Sequence, residues 1–340
     1  MQAYKTSYIN NRRYLGNKYK LLPFISRVVA EECQAVRVVA DIFAGTGAVA
    51  SAFQDKILIT NDLMFSNYIC HYAWFASEIY DPQKIIEAVV SYNALHCTEE
   101  NYMTEHFADT YFSRADCAKI GFIREDLEQK YERGVYNLRE KALLLTALLY
   151  AMDKIAKTCG HYDAYRRNAV FDAHLELHVP MASNENHVEN QCFCMDANML
   201  APQISADLVY IDPPYNSRQY CDAYHLLENV ARWEKTSVFG VARKMDRKPL
   251  KSKYCMKEAE ETFSALIRDV RARYILFSYN NMGEKGNERS NAKISDDAIW
   301  SILKSKGAVK VFSEEYKAFT TGKSDVANHQ ERLFLCVCDV

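Results

Sequence analysis

The chain has 340 residues, of which 49% are hydrophobic and 25% are charged, as in an ordinary globular protein. Its 42 lysines and arginines stand against 44 acidic residues, and the net charge of -2 argues against a surface coated with cations for indiscriminate nucleic-acid binding. The best apolar run, Ala142 to Met152, is too short to span a membrane, and the N-terminal segment lacks the apolar core of a signal peptide.

The 11 cysteines show no paired spacing typical of a disulfide framework, so we interpret them as reduced thiols and expect a cytoplasmic location. Two C-x-C pairs, Cys192 with Cys194 and Cys336 with Cys338, lie in strand-like runs. Packing of both thiols on one sheet face explains these pairs better than metal binding does. The histidines likewise show no spacing typical of a zinc site, and no metal is expected.

Short apolar runs alternate with helical patterns near both ends of the chain. The predicted strands are Arg37–Phe43, Lys56–Asp62, Gln191–Asn198, Asp207–Tyr215, Arg273–Asn281, Ala308–Phe312 and Arg332–Cys338. Strands that alternate with helices predict an α/β fold with a mostly parallel, doubly wound, Rossmann-like sheet.

The pattern changes between residues 81 and 189. Helical spacing predicts helices over Ala115–Tyr131 and Arg139–Lys157, and the second is apolar nearly all round, so it should be buried. The segment His161–Asn190 is polar and irregular. We therefore predict a largely helical insertion over residues 81–189, which divides the main domain into residues 1–80 and 190–340.

A glycine turn, Phe43-Ala-Gly45-Thr-Gly47, closes the first predicted strand, Arg37–Phe43, which contains Asp41. Glycines at a strand-to-helix turn let the backbone approach a ligand, although such turns also serve packing. The third glycine of a dinucleotide fingerprint is missing, which argues against a nicotinamide cofactor. Asp62 closes the next strand, where a carboxylate can accept two ribose hydroxyls or cap a helix.

The sequence Asp212-Pro213-Pro214-Tyr215 follows the apolar strand LVYI directly. Two prolines end the strand and fix the backbone, so that the Asp212 carboxylate and the Pro213 carbonyl can accept the two hydrogens of a planar amino group. Tyr215 offers a ring for stacking on a base. An ordinary strand-terminating turn is the alternative, but a turn alone requires neither the aromatic residue nor the fully apolar strand.

In these motifs the chain resembles the amino-methyltransferases that use S-adenosylmethionine, and specifically the D12 (Dam-like, alpha) class of adenine-N6 DNA methyltransferases. Tyr14-Leu-Gly16-Asn-Lys18 is similar to the opening motif of that class, Asp41–Gly47 to its cofactor turn, and Asp212–Tyr215 to its catalytic motif. The order of opening motif, glycine turn, insertion and catalytic motif is that of this class. The strings Asn216–Tyr220 and Phe277–Asn281 resemble members associated with restriction systems.

The resemblance implies S-adenosylmethionine as the cofactor, with Asp62 on the ribose hydroxyls and Asp196 with Ala197 against the adenine. The residues implied to bind it are Tyr14, Lys18, Asp41, Phe43, Gly45, Gly47, Asp62, Asp196, Ala197 and Asp212. The implied catalytic residues are Asp212, Pro213, Pro214 and Tyr215. Ile42 stands where close relatives often have proline, a departure that should cost little.

The resemblance also implies double-stranded DNA as the substrate and, for a restriction-modification methylase, a cognate restriction endonuclease acting on the same site. Because adenine N6 is inaccessible in a stacked duplex, base flipping is implied, with Tyr215 stacking on the extruded base. Either Asp212 or water takes the proton that leaves after methyl transfer.

Cations cluster in two places despite the balanced total. The first 20 residues hold five lysines and arginines and no acid. A second run follows the catalytic motif and the predicted helix Tyr224–Lys235; its predicted DNA-binding residues are Arg243, Lys244, Arg247, Lys248, Lys251 and Lys253. We interpret this run as a phosphate-binding loop, with a solvated charged surface as the alternative. Base readout is assigned to His161–Asn168 in the insertion.

Three other functions fit parts of the pattern. An RNA adenine or guanine amino-methyltransferase can share the Asp-Pro-Pro-Tyr motif, and a non-catalytic DNA-binding protein can retain a methyltransferase fold. A nicotinamide oxidoreductase is disfavoured by the missing third glycine. The recognition sequence and the oligomeric state cannot be read from the chain.

Overall fold

The computed structural model describes residues 4–280, 292–315 and 330–339. Its strands are β1 (Thr6–Ser7), β2 (Val38–Asp41), β3 (Ile57–Asn61), β4 (Val179–Pro180), β5 (Gln191–Phe193), β6 (Ala206–Ile211), β7 (Ala272–Asn280), β8 (Gly307–Glu315) and β9 (Gln330–Cys338). Within the described residues, seven strands form one sheet in the order β5-β3-β2-β6-β7-β9-β8, while β1 pairs with β4.

The helices cover both faces of this sheet and fill the insertion. They are α1 (Leu22–Glu32), α2 (Ala48–Ser51), α3 (Phe65–Phe75), α4 (Pro82–Ala94), α5 (Tyr102–Phe107), α6 (Arg114–Glu132), α7 (Leu138–Ile155), α8 (Ala197–Leu200), α9 (Tyr220–Ala223), α10 (His225–Arg232), α11 (Ala259–Asp269) and α12 (Asp296–Lys304). In the part of the chain that the structure describes, none of them is long and apolar enough to cross a membrane.

Successive residues of the central strands alternate between two apolar cores. In β6, Leu208 and Tyr210 belong to one core and Val209 to the other. Every neighbouring pair in the large sheet is parallel except those made by β9, which is antiparallel to both β7 and β8. The predicted α/β fold with a mostly parallel, doubly wound sheet is confirmed.

Several predicted elements are shorter than expected, among them the strand predicted over Asp207–Tyr215, which ends at Ile211 before the two prolines. The strand predicted over Gln191–Asn198 ends at Phe193, because Asp196 turns the chain and caps α8 by accepting a hydrogen bond from the amide of Asn198 at 2.8 Å. The helix predicted over Tyr224–Lys235 ends at Arg232, where Trp233 adopts left-handed backbone with a φ of 57°. Asn281, the last residue of the predicted strand Arg273–Asn281, lies outside the described residues.

Helices α4 to α7 occupy the predicted insertion but do not form a separate core. The buried α7 shares one continuous apolar core with the sheet, as Leu144 and Leu208 illustrate. The buried guanidinium of Arg139 binds α7 to its surroundings by donating to the carbonyls of Glu78 and Ser183, at 2.7 and 2.6 Å. The helical nature of the region is thus as predicted, while its boundaries at residues 81 and 189 stay a prediction.

All 11 cysteines lie within the described residues and are free. Cys336 and Cys338 point to the same face of β9 and are buried in the core on that side. This arrangement agrees with the packing interpretation of the C-x-C pair. Cys194 instead follows the end of β5, so Cys192 and Cys194 do not share one strand.

The turn between β2 and α2 depends on left-handed backbone at Gly45 and Gly47, whose φ angles are 53° and 78°. The Gly47 amide closes the turn on the carbonyl of Ala44 at 2.7 Å. A Cβ atom added to Gly47 would lie only 2.9 Å from a ring carbon of Phe75 and 3.3 Å from a ring carbon of His71. The turn therefore needs glycine here for both backbone and packing reasons.

We expect Gly47→Ala to destabilise the protein more than Gly134→Ala. Gly134 also has positive φ, 70°, but nothing lies within 4 Å of its added Cβ. Both variants should lose roughly 1 kcal/mol from the left-handed backbone, and Gly47→Ala about 1–3 kcal/mol more from overpacking. Urea unfolding of the whole chain measures both losses. Equal losses in the two variants would show that Phe75 and His71 move aside freely.

Candidate active site

The carboxyl ends of β2, β3 and β6 meet at one edge of the sheet and border a cavity that is partly open to solvent. The predicted site residues that line it are Tyr14, Lys18, Asp41, Phe43, Gly45, Asp62, Asp196, Ala197, Asp212 and Pro214. Segments that are far apart in the sequence thus converge on one cavity.

The other three predicted residues lie outside the cavity wall. Gly47 begins α2 and faces Phe75 instead of the cavity. Pro213 is buried, and Tyr215 is half-buried with its ring packed edge-on against Tyr279 at a centroid distance of 6.2 Å. The last residue of the Asp212 motif is therefore held in place by aromatic packing against the end of β7.

The glycine turn is fastened to the end of β3 by two side chains. Asp62 accepts hydrogen bonds from the amides of Gly45 at 2.9 Å and Met64 at 2.8 Å. The buried amide of Asn61 donates to the carbonyls of Ile42 and Met195 at 3.0 and 3.1 Å, which ties the loops after β2, β3 and β5 together. Asn61 was missed by the sequence reasoning, because it lies inside the strand with no motif around it.

His71 supports the same turn from behind. Its Nε2 lies 2.9 Å from the Gly45 carbonyl. Burial lowers the pKa of His71 to about 4, although the contact with Gly45 opposes that shift. The ring is therefore neutral at physiological pH and donates its Nε2 hydrogen to the carbonyl.

The opening motif is clamped by two tyrosines that follow the catalytic motif. The ring of Tyr14 stacks against Tyr220 and Tyr224, at centroid distances of 5.2 and 4.5 Å. The Tyr224 hydroxyl accepts from the Leu15 amide at 2.7 Å, and the Tyr220 hydroxyl donates to the Leu15 carbonyl at 3.1 Å. This stacking fixes the segment that carries Lys18 over the end of β6.

Lys18 and Asp212 form an ion pair at the end of β6. The Lys18 Nζ lies 3.1 Å from the Asp212 Oδ1, with 7% of the lysine side chain and 17% of the aspartate side chain exposed. Burial raises the pKa of Asp212 to about 6, although the Lys18 ammonium opposes that shift. Burial lowers the pKa of Lys18, but the Asp212 and Glu331 carboxylates outweigh it and hold that pKa well above the ordinary value.

Two further carboxyl groups face the cavity from the neighbouring strands. Burial raises the pKa of Asp62 to about 6, and burial together with the charges of Asp212 and Asp62 raises the pKa of Asp41 well above its usual range. Among the described residues that line the cavity, Lys18 is the only lysine or arginine. Such a lining suits hydroxyl, amino and sulfonium groups and disfavours phosphates.

The cation-rich run Arg243–Lys257, called the basic loop, contributes apolar residues to the wall of this cavity. Leu250, Ser252 and Tyr254 line the wall, and the ring of Tyr254 packs edge-on against Phe43 at 5.2 Å. The Gln219 amide holds the loop by exchanging two hydrogen bonds with the backbone of Ser252, at 2.8 and 3.0 Å. In the sequence, the lysines of this loop indicated DNA binding alone. The apolar residues Leu250 and Tyr254 were the signal that part of the loop packs against the protein.

Two of the cations predicted to bind DNA are engaged within the protein. Lys244 lies 2.6 Å from Asp163, and Arg247 donates to Asp222. Counting charges along the loop overstated its free positive charge, because acids remote in the sequence pair with it. The side chains of Arg243, Lys248, Lys251 and Lys253 are exposed.

The cationic N-terminal segment is also largely used inside the protein. Arg12 is buried and donates to Asn67 at 2.8 Å, while Lys18 pairs with Asp212. Lys5 pairs with Glu176 at 2.7 Å. These three cations are thus engaged with other parts of the protein, whereas Arg13 and Lys20 are exposed.

The segment predicted to read bases lies beside the basic loop. The Tyr162 amide donates to the carbonyl of Ala223 at 2.7 Å, and Asp163 makes the ion pair with Lys244. Within this segment Arg166 and Arg167 are exposed. Two regions predicted separately to meet DNA are thus brought onto one side of the cavity.

Comparison with known proteins agrees with this geometry. A family model described as D12 class N6 adenine-specific DNA methyltransferase matches residues 14–285. The modification methylase StsI of Streptococcus sanguinis is 33% identical over 86% of this chain and 46% of its own length. The type II methyltransferase M.FokI of Planomicrobium okeanokoites is 29% identical, over 96% of this chain and 53% of its own length.

The type II methyltransferase M.NlaIII of Neisseria lactamica is 30% identical over 93% of this chain and 95% of its own length. The chain therefore spans about half the length of the StsI and M.FokI proteins and nearly all of M.NlaIII. The family match covers most of the chain and includes the opening, glycine-turn and Asp212 motifs. The chain belongs to the D12 class of N6 adenine-specific DNA methyltransferases.

Proposed function

We propose that this chain transfers a methyl group from S-adenosylmethionine to the N6 amino group of adenine in a specific double-stranded DNA sequence. The observation that carries the proposal is the convergence of Asp212, its Lys18 partner and the glycine turn on one cavity at the carboxyl edge of the sheet. We further propose that it protects DNA in a restriction-modification system, beside an endonuclease for the same site, in the cytoplasm.

The chemistry of the cavity fits S-adenosylmethionine. The Asp62 carboxylate accepts two backbone hydrogen bonds and has capacity for the ribose hydroxyls. Asp196 and Ala197 line the part of the cavity proposed for the adenine, and Tyr14, Phe43 and Gly45 line the rest. A phosphate-bearing nicotinamide cofactor would meet several carboxyl groups and only the paired Lys18 among the described lining residues, so it is disfavoured.

When bound, S-adenosylmethionine supplies a methyl group on a sulfonium sulfur, ready for attack by an amine. The protein's task is to align the adenine amine and to enrich its lone pair. Asp212 and the Pro213 carbonyl would accept its two hydrogens and favour a more tetrahedral nitrogen, and Tyr215 would stack on the flipped base. Because burial holds the pKa of Asp212 near 6, its carboxylate form predominates at neutral pH.

The rival functions are less well supported. An RNA adenine or guanine amino-methyltransferase would use the same Asp212 motif, but the matched family and the type II methyltransferases point to DNA. A non-catalytic DNA-binding protein would not need Lys18 and Asp212 paired in a cavity. Methylation assays on duplex DNA and on structured RNA separate these alternatives directly.

We expect Asp212→Asn to reduce the rate of adenine methylation about 100-fold or more, because the lost carboxylate acts mainly in the transition state. In the wild-type protein, kcat should fall as the pH drops through about 6, since protonation of Asp212 removes an acceptor oxygen. The measurement is transfer of a radiolabelled methyl group to duplex DNA between pH 5 and 9.

The matched control is Asp297→Asn, which changes an exposed acid in the first turn of α12. It should retain the wild-type rate and pH profile. Calorimetry should show that Asp212→Asn still binds S-adenosylmethionine. Full methylation by Asp212→Asn would disprove the assigned role of this residue.

We propose that the exposed cations of the basic loop contact DNA phosphates, together with the neighbouring segment His161–Asn168. Lys248, Lys251 and Lys253 are exposed, and Ser252 between two of them lines the cavity. The loop is therefore adjacent to the proposed active site. Lys244 and Arg247 would act indirectly, by holding the loop against Asp163 and Asp222.

We expect the triple variant Lys248→Ala, Lys251→Ala and Lys253→Ala to weaken binding of a mixed-sequence duplex. Log affinity falls as log salt rises, and each lost phosphate contact should make this negative slope shallower by about 0.9. Fluorescence anisotropy at several salt concentrations measures that slope. The control is Lys304→Ala, an exposed lysine in the last turn of α12, next to the start of β8 and so at the edge of the sheet away from the cavity; an equal effect there would contradict the assignment.

A further inference from the structure

Glu331 lies at the same sheet edge as the catalytic motif, although its strand comes last in the described chain. Because β9 runs antiparallel to β7, the first residues of β9 lie beside the last residues of β7, and Glu331 pairs with Asn280. Farther along the same strands, Leu335 pairs with Leu276, which in turn pairs with Tyr210 of β6. Side chains alternate along strands, so Asn280 and Glu331 share the face of Tyr210.

Asp212 follows Tyr210 by two residues and continues the same face. The shared side is confirmed by packing, since Tyr210, Leu276 and Leu335 all belong to one core. Lys18 pairs with Asp212 on this side. Asp212 at the end of β6 and Glu331 at the start of β9 thus lie on one face at this edge, and Lys18 lies beside Asp212.

Glu331 is itself buried, with only 7% of its surface exposed, as is Lys18. Its charge acts on Lys18, Asp212 and Tyr215, so it faces the ion pair and the catalytic motif together. This buried negative charge opposes the effect of the Lys18 ammonium on Asp212, because it raises the pKa of Asp212 while the ammonium lowers it.

We propose that Glu331 is a positioning residue of the methyl-transfer site: its buried carboxylate, on the same face and at the same edge as Asp212, offsets the attraction of the Lys18 ammonium and so leaves Asp212 an oxygen for the target amine. This inference rests on the proposed function. Without the Glu331 charge, the Lys18 ammonium would act on Asp212 unopposed, and that carboxylate would be a weaker hydrogen-bond acceptor and a weaker base.

Other titratable groups also face Asp212, and the pKa of each is raised. Burial raises the pKa values of Asp41, Tyr210 and Tyr220 well above their ordinary values, and burial also raises the pKa of Tyr215. Lys18 remains charged. Removing the charge of Glu331 should therefore act on the pH dependence of Asp212 itself.

The test compares Glu331→Gln with Glu314→Gln in the full chain. Glu314 pairs directly with Glu331 across β8 and β9, but its side chain is 44% exposed and lies 3.8 Å from Arg27. Glu331→Gln should lower kcat for DNA methylation about 10- to 100-fold, as a misaligned reactive group does. The KM for S-adenosylmethionine should stay within about twofold, because the change acts on alignment rather than on uniform binding.

The acid limb of the kcat–pH profile should move to lower pH in Glu331→Gln, because a negative charge that raises the pKa of Asp212 is gone. A merely structural role would lower the rate without moving this limb. Glu314→Gln should leave both rate and limb unchanged. An unmoved limb in Glu331→Gln, or the same change in Glu314→Gln, overturns the inference.

Glu331→Asp provides a second variant if Glu331→Gln fails to fold. It keeps the charge but withdraws it by one methylene group, so kcat should fall while the limb moves less than in Glu331→Gln. Wild-type kcat in Glu331→Asp would overturn the inference. A wild-type protein that methylates no adenine in DNA would instead overturn the proposed function.

Discussion

The cavity at the carboxyl edge of the sheet is lined by several carboxyl groups and, among the described residues, by one ammonium, that of Lys18. The arrangement of the site follows from this excess of acidic groups over basic ones. Lys18 lies 3.1 Å from Asp212, and the charge of Glu331 raises the pKa of Lys18. Asp41 lies farther along the same edge. Water cannot solvate these groups fully, so their mutual pairing decides which stay ionised. The result is an aspartate whose pKa of about 6 keeps it ionised, yet basic, near neutral pH.

Holding such an ammonium in place requires rigid support, which comes from distant parts of the chain. The stacked rings of Tyr14, Tyr220 and Tyr224 lock the opening motif against the segment after the catalytic motif. From the other side, Asn61 and Asp62 fix the loops after three strands. The reacting groups themselves thus lie on short, tightly bonded turns at the ends of rigid strands, which suits a reaction that depends on alignment.

Local motifs made most of this site predictable, and long-range pairing limited the rest. The glycine turn and the residues Asp212 to Tyr215 carry their chemistry in consecutive positions, so the cavity around Asp41, Asp62 and Asp212 followed from them. Charge counting along the basic loop failed where Asp163 and Asp222 neutralise it from elsewhere. Glu331 could not be found, because it stands just before the predicted strand Arg332–Cys338, and nothing local shows that this strand runs between β7 and β8.

The position of β9 between β7 and β8 also has a consequence for how the enzyme is made. On the ribosome, the strands that carry Asp41 and Asp212 emerge well before Glu331, whose strand pairs on both sides only when β7 and β8 are already present. Contacts between residues so distant in sequence form late in folding. A nascent chain whose opening motif already packs against β6 would hold Lys18 beside Asp212 before Glu331 joins the same edge, so the full set of charges at the proposed site forms only when the sheet is complete.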